Sequence, residues 1–413
     1  MHVVRNLCDQ RPRWCEHASE SKSKEKHHSV VHGSLPTKIV PLFASSHSSR
    51  SRFFEVPQGH LLPVRTCGTS NFLIILLFVF NPPRYRMEII FPEHMAERKA
   101  PCNLNEADRP LFEHEFRKRI RETHLLRLRD CTILNDLILK GSDPWKYMTY
   151  SQIHTLTFRD VVKRMLKVPP PSKRFENGVW VTDNWSMGYF HWLTDALPRL
   201  LASERSDRGI PVLLQKHYEN LPFVGGSLQL LGRKALYYDP TRKLRVEHLL
   251  LPSHTASTGN YNAVLINELC DRMLHPADTA VERRIYISRQ KAKKRRVLNE
   301  TEVISKLEQF GFEIHCFEDH SFAEQVHLMA GAKCVVGMHG AGLTNMLFMP
   351  PKGKVLEFRN RADAQNNCYF SLASDLGHHY YYQICQGNTD DTHVVDIQVD
   401  MQELERDLQT MLD

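Results

Sequence analysis

The chain has 413 residues, of which 42% are hydrophobic and 24% charged, and its formal net charge is +7. That balance belongs to folded globular proteins and excludes a wholly disordered chain, while the length points to two domains rather than one. The mild positive charge suits an anionic small molecule as well as a nucleic acid, and a plain solvated surface equally.

Residues 1–86 carry Ser/His/Arg-rich stretches with little periodicity and read as a disordered or loosely structured extension, dispensable for the fold. The longest apolar run, residues 72–80, lies within it and falls well short of the ~20 residues that span a bilayer. It reads as a buried strand or an interfacial patch, and it starts too late for a secretory signal. Residues 87–170 are mixed, with a charged helical stretch near 112–129, and the run Val168-Pro-Pro-Pro-Ser172 marks a boundary. From Gly178 strands and helices alternate, with strands at 179–182, 212–215 and 244–251. The helices of this unit are 187–205, interrupted at Pro198, and 261–274.

A second unit follows the basic, Pro-containing stretch 275–284. Its strands are 285–288, 312–317, 333–338, 354–358 and 380–385. Asn299 with Glu302 and Ser321 with Glu324 read as capping boxes, for helices that end at Gly311 and Gly331. Residues 364–376 and 401–412 read as further helices, the last closing the chain. This alternation implies a parallel sheet covered on both faces, and a cleft between two α/β units. The expected domains are 87–277, 278–390 and a closing segment 391–413. Ten cysteines, none at C-x-x-C spacing, give neither a disulfide framework nor a zinc site and lean toward a reducing compartment.

Four constellations bear chemistry. Residues 335–345, Val-Val-Gly-Met-His-Gly-Ala-Gly-Leu-Thr-Asn, run from a buried strand through a glycine turn into a helix start. Gly340 and Gly342 allow a close backbone approach and dihedrals other residues avoid, and the amides of Leu343, Thr344 and Asn345 point out toward a diphosphate. A purely structural strand-to-helix turn is the alternative. Arg289 sits just past a strand end, where a guanidinium can grip phosphate oxygens, whereas the basic run 291–296 reads as a solvated loop. His191, Asp195 and Arg199 recur four apart on one face of an aromatic helix. They can act on a proton, or simply complete a hydrogen-bonded helix surface. Glu357 at a strand end can hold a ribose by analogy with dinucleotide folds, or be an ordinary carboxylate. The chain has no D-x-D to hold a divalent metal, so cations and amides must neutralise a leaving diphosphate.

Residues 188–200 (GYFHWLTDALPRL) and 334–345 (CVVGMHGAGLTN), with ISR at 287–289 and VLE at 355–357, resemble glycosyltransferase family 61. That family includes plant β-1,2-xylosyltransferases, the EGF-domain-specific O-GlcNAc transferase and bacterial polysaccharide-biosynthesis proteins. The resemblance covers about 170–390 and implies a GT-B-like α/β fold of two Rossmann-like domains facing a central cleft. It also implies an inverting transfer without metal from a UDP-sugar, which serves as co-substrate, with no other cofactor. The 87–277 domain would then take the acceptor and the 278–390 domain the donor. Arg289, His339, Gly340, Ala341, Gly342, Leu343 and Thr344 would hold the diphosphate, and Glu357 the ribose. His191 or Asp195 would take the acceptor proton, with Arg199 on the acceptor or diphosphate side. The expected partners are a nucleotide sugar and a glycan or glycoprotein acceptor, with peripheral membrane association allowed. A bacterial-type cytoplasmic setting is the expectation, and the secretory pathway the alternative for a eukaryotic chain. Two rivals remain: a non-catalytic nucleotide- or sugar-binding protein, and a nicotinamide-dependent oxidoreductase, whose G-x-G-x-x-G set is missing. A nucleic-acid partner is not expected, since the basic runs lack interleaved aromatics.

Overall fold

The computed structural model describes residues 87–141, 146–152, 173–274 and 282–413, together with Arg159, Lys163 and Leu166. The expectations for residues 1–86, the apolar run 72–80 and the proline boundary at 168–172 lie outside the described residues. All described residues belong to one compact unit.

The first half supplies strands β1 (Met87–Phe91), β2 (His94–Glu97), β3 (Arg117–Ile120), β4 (Thr123–Leu134), β5 (Leu137–Leu139), β6 (Lys173–Val179), β7 (Val212–Gln215), β8 (Ala235–Tyr238) and β9 (Lys243–Pro252). Its helices are α1 (Arg109–Phe116), α2 from Tyr189 to Glu204, α3 (Pro222–Leu230) and α4 (Ala263–Met273). Seven of these strands form one mixed sheet in the order β1-β4-β9-β6-β7-β8, with β5 paired to β4. The second half supplies β10 (Arg283–Ile287), β11 (Glu313–His315), β12 (Ala332–Met338), β13 (Lys354–Asn360), β14 (His379–Gly387) and β15 (Ile397–Gln398). Helices α5 (Glu300–Gln309), α6 (Phe322–Ala330), α7 (Cys368–Asp375) and α8 (Met401–Leu412) alternate with them. The sheet order is β11-β10-β12-β13-β14-β15, parallel throughout except for β15.

Alternation along each strand explains the layers. Val212 and Leu214 face one core while Leu213 faces another. In the second sheet Val335 and Val355 face inward, and Val336 and Leu356 join Leu404, Leu408 and Met411 of α8 on the outer side. The inner helices of both sheets share one apolar cluster, from Leu193 and Leu200 of α2 to Val326 of α6 and Phe370 of α7. The halves thus meet through packed side chains, and the expected cleft is open only locally. The partition by sequence is also crossed. Strands β2 and β3 pair with each other outside the first sheet, and Phe112 of α1 packs edge-on against Phe370 and Tyr380 and at a tilt against Tyr382 of the second half. Buried Arg98 reinforces the crossing, bonding Glu115, Asn260 and Asp375.

Two local expectations are corrected. The charged stretch 112–129 is helical only to Phe116 and then becomes β3 and β4, because β4 pairs with β9 over nine positions, which overrides the helix propensity of its Arg and Leu residues. The capping box at Asn299 and Glu302 does not form. The Asn299 side chain instead pairs with the backbone of Val399, at 2.9 and 3.1 Å. The box at Ser321 and Glu324 does form. Helix α3 carries Gly225-Gly226, which masks it from propensity, yet a Cβ on Gly226 would stand 2.8 Å from Phe322. The glycine is there to bring α3 close to α6.

Phe112 is fully buried, so Phe112→Ala should destabilise the fold by ~3–5 kcal/mol. Chemical denaturation measures it; a loss below ~1 kcal/mol would show that α1 does not tie the halves together.

Candidate functional site

In the second sheet β10 and β12 are neighbours although β11 separates them in sequence. Strand order reverses there, and a crevice opens beyond the carboxyl ends of such a pair. The Arg289 segment leaves the sheet at the end of β10, and the 339–345 turn at the end of β12.

Glu300 at the start of α5 fixes the first segment. Its Oε1 accepts from the Tyr286 hydroxyl at 3.1 Å, the Ser288 hydroxyl at 2.9 Å and the Arg289 N–H at 2.7 Å. The Arg289 guanidinium donates to the Arg295 and Lys294 carbonyls at 3.1 and 3.0 Å. Its Nη1 lies 4.0 Å from the point where a Cβ on Gly340 would stand, and Arg295 Nη2 lies 3.8 Å from the same point. Burial pulls Arg289 below the usual guanidinium value and the Arg295 charge adds to this, opposed by Glu318 and Glu300.

The turn differs from expectation in detail. Gly340 is extended, with φ 168, a conformation open to any residue. Gly342 is required for closeness instead: a Cβ there would stand 2.9 Å from Ile287 Cγ2. Ala341–Phe348 winds as a 3-10 helix in which the Leu343 N–H donates to the Gly340 carbonyl at 2.9 Å. The amides without a helical partner are therefore those of Ala341 and Gly342. Leu343, Thr344 and Asn345 are buried, so the amides at the open end of the turn are those of Ala341 and Gly342 rather than the expected Leu343 and Thr344. Ala341, Gly342, Ser288, Arg289 and Glu318 border a cavity of about 210 Å³, closed on one side by Tyr189.

His339 donates from Nδ1 to Glu357, and the Tyr380 hydroxyl donates to the other oxygen of Glu357. Burial opposes a charged imidazole, but Glu357 and Cys368 outweigh it and raise His339 to about 10. Burial likewise opposes the Glu357 charge, and His339 and Arg359 hold it below the usual carboxylate value. Glu357 has no exposed surface. It orients His339, and the carboxylate that borders the cavity is Glu318, which the expectation of a ribose contact by Glu357 did not include.

Helix α2 comprises Tyr189–His191, a π-turn at Trp192–Ala196 and the α-helical Leu197–Glu204. The expected break at Pro198 is this π-turn, which relieves the clash between the proline ring and the Thr194 carbonyl. Asp195 Oδ2 accepts from His191 Nδ1 at 2.8 Å and from the Thr258 hydroxyl at 3.3 Å. His191 is partly exposed while Asp195 is buried, so Nε2 of His191 is the free atom of the pair. Trp185, 48% exposed, stacks obliquely at 5.3 Å from the His191 ring. Thr258 also borders a second cavity of about 600 Å³, walled by Arg121, His124, Tyr150, Gln152 and His254.

Arg199 is corrected. It is fully buried, donating to the Val181 carbonyl at 2.8 Å and to the Pro252 carbonyl at 3.2 and 3.0 Å. Burial pulls it down to about 10 against the pull of Asp183 and Asp195. It reaches neither cavity.

The two motifs meet directly. The Tyr189 hydroxyl donates to Asn345 Oδ1 at 2.6 Å. Ring contacts then link His191 to Phe190 at 5.1 Å, Phe190 to Tyr369 at 5.7 Å and Tyr369 to His339 at 4.9 Å. The sequence reading missed Arg295, Glu318, Trp185 and Thr258. Trp185 carried a signal, a tryptophan four residues before the helix; the other three carried none. Among the described residues, no cluster of three or more His, Cys, Asp or Glu side chains is placed to hold a metal ion. No described helix is long and apolar enough to cross a membrane.

An α/β protein with an arginine- and amide-lined crevice at the switch point of a parallel sheet is the class that these features define. Residues 189–356 match the family model Glycosyltransferase 61, and over that segment the chain is similar to glycosyltransferase family 61. It is similar to the EGF domain-specific O-linked N-acetylglucosamine transferase of Mus musculus, 30% identical over 136 residues, or 30% of this chain and 25% of that protein. The Drosophila melanogaster protein of that name is 37% identical over 98 residues, 23% of this chain and 18% of that one. The chain spans about a quarter or less of the length of the curated relatives it matches.

The His339–Glu357 pair predicts a pH signature. His339 is raised from 6.5 to about 10, so its contribution to stability is complete below pH ~6.5 and lost as pH rises through ~10. The thermal midpoint should fall across that interval, and Glu357→Gln should flatten the fall. An equal slope in both proteins would remove the pair from the stability of the turn.

Proposed function

We propose that this protein transfers a sugar from a UDP-sugar to a hydroxyl of a protein or glycan, with inversion and without a metal, in a GT-B-like arrangement. The observation that carries the reading is the convergence of Arg289 with the Ala341 and Gly342 amides on one cavity at the sheet's switch point. Amides at a helix start and a guanidinium held by carbonyls are preorganised for phosphate. About 210 Å³ is below the ~300–1,000 Å³ of sites that bury whole ligands. It suits the diphosphate, with nucleoside and sugar in the open crevice and Glu318 available to the ribose hydroxyls.

The acceptor enters from the 600 Å³ cavity, whose wall residue Thr258 bonds Asp195. Asp195 fixes the tautomer of His191, so Nε2 accepts the acceptor proton as the hydroxyl attacks the anomeric carbon. The leaving diphosphate departs on the opposite face, its growing charge met by Arg289, His339 and the turn amides. The relatives' name specifies an EGF domain, and this favours a protein hydroxyl over a polysaccharide as acceptor. It favours the secretory pathway over the cytoplasm for the same reason.

Titration calorimetry and a UDP-release assay test the reading. Arg289→Ala should weaken UDP binding ~10–100-fold, the worth of a charge-assisted hydrogen bond. His191→Ala should leave UDP affinity intact and lower turnover ~10²–10⁴-fold. UDP affinity unchanged in Arg289→Ala would remove the donor site from this crevice, and full turnover in His191→Ala would remove the base.

A further inference from the structure

The basic run 291–296 is not uniformly solvated. Lys291 pairs with Asp319 at 2.5 Å and Arg296 with Asp396 at 3.1 Å. Between them Arg295 takes φ 57, a left-handed conformation that side chains other than glycine and asparagine adopt rarely. That backbone does two things at once. It presents the Lys294 and Arg295 carbonyls to Arg289, at 3.0 and 3.1 Å. It also carries the Arg295 guanidinium to the bare edge of Gly340, 3.8 Å from the point where a Cβ would stand, with Arg289 Nη1 4.0 Å from that point.

Two guanidiniums flanking one backbone position repel each other unless something negative lies between them. Among the described residues no ion pair joins a carboxylate to either guanidinium: Glu318 borders the cavity without bonding them, and Glu300 is taken up by Tyr286, Ser288 and the Arg289 N–H. Among the described residues, the Arg295 guanidinium has no hydrogen bond or ion pair. The nearer cation, Arg289, borders the 210 Å³ cavity with the turn amides. Arg295 stands outside that wall, at the Gly340 edge. A single phosphate in the cavity would meet Arg289 and the amides alone, and only a second, linked phosphate would lie between both cations.

We propose that Arg295 is the second cation of the phosphate site and makes it selective for a nucleoside diphosphate over a nucleoside monophosphate. The proposal rests on the donor-site reading above, and it assigns a residue and a selectivity to that site.

The test is calorimetric titration of the full chain with UDP and with UMP. Arg295→Gly and Arg295→Asn are the informative variants, because both residues tolerate the left-handed backbone and so keep the carbonyls that hold Arg289. Each should lose UDP affinity ~10–100-fold, the worth of a charge-assisted contact, while UMP affinity moves far less, so the UDP-to-UMP ratio collapses. Arg295→Lys should restore part of the ratio, and Arg289→Ala should weaken both ligands. If the wild type binds UDP and the variants keep its UDP-to-UMP ratio, Arg295 is not the selector and only this proposal fails. If the wild type binds neither nucleotide, the donor-site reading fails and the proposal falls with it.

Discussion

The start of α2 lies directly against the 3-10 helix that follows β12, and this contact organises the rest of the site. Tyr189 is the joint: its ring packs on Phe223 and Phe322, and its hydroxyl donates to Asn345. A buried tyrosine hydroxyl without a partner costs ~1–3 kcal/mol, so the contact specifies one alignment of the two halves. Because the inner helices share a single apolar cluster, that alignment is backed by packing on both sides. The spacing between His191 and the phosphate turn is then set by two intervening rings, Phe190 and Tyr369. Fixed spacing of this kind is what a bimolecular reaction between bound groups gains most from, since their orientation contributes much of the rate enhancement.

Charge is distributed around the crevice with a clear division of labour. His339 and Glu357 neutralise each other, so the imidazole contributes a directed N–H more than net charge. Arg289 is oriented by two carbonyls, which fix a guanidinium without cancelling it. The uncancelled positive charge of the crevice therefore sits on arginines held at defined positions. Among the described residues Arg289 has no ion pair for an arriving anion to break, although the Glu318 carboxylate borders the same cavity.

How much of this was legible in the sequence follows from where each signal resides. Strand periods, the Ser321–Glu324 box and the glycine turn are local patterns, and they appear in the structure close to where they were read. Arg289 was legible because ligands bind beyond the carboxyl ends of parallel strands, and a cation at such an end suits an anion. Arg295 was not, because one left-handed residue inside a basic run looks like any solvated loop. Strand β4 was hidden by its charged residues, since only its pairing with β9 makes it a strand. Leu343 and Thr344 were misplaced because a 3-10 start exposes different amides from the start expected, a difference of geometry that composition does not encode.

Arg199 shows most plainly what periodicity leaves out. It shares a helix face with His191 and Asp195, but eight residues along a helix are ~12 Å, and a shared face is not a shared place. At that distance α2 has passed beneath the ends of the first sheet. The Val181 and Pro252 carbonyls there need donors, as any buried carbonyl does. Arg199 supplies three N–H groups to them, and its charge lies under the carboxylates of Asp183 and Asp195. Thus one helix face carries the His191–Asp195 pair at its exposed end and a buried cation further in. The sequence spacing puts three residues on one face, and the third lies in the floor beneath the other two.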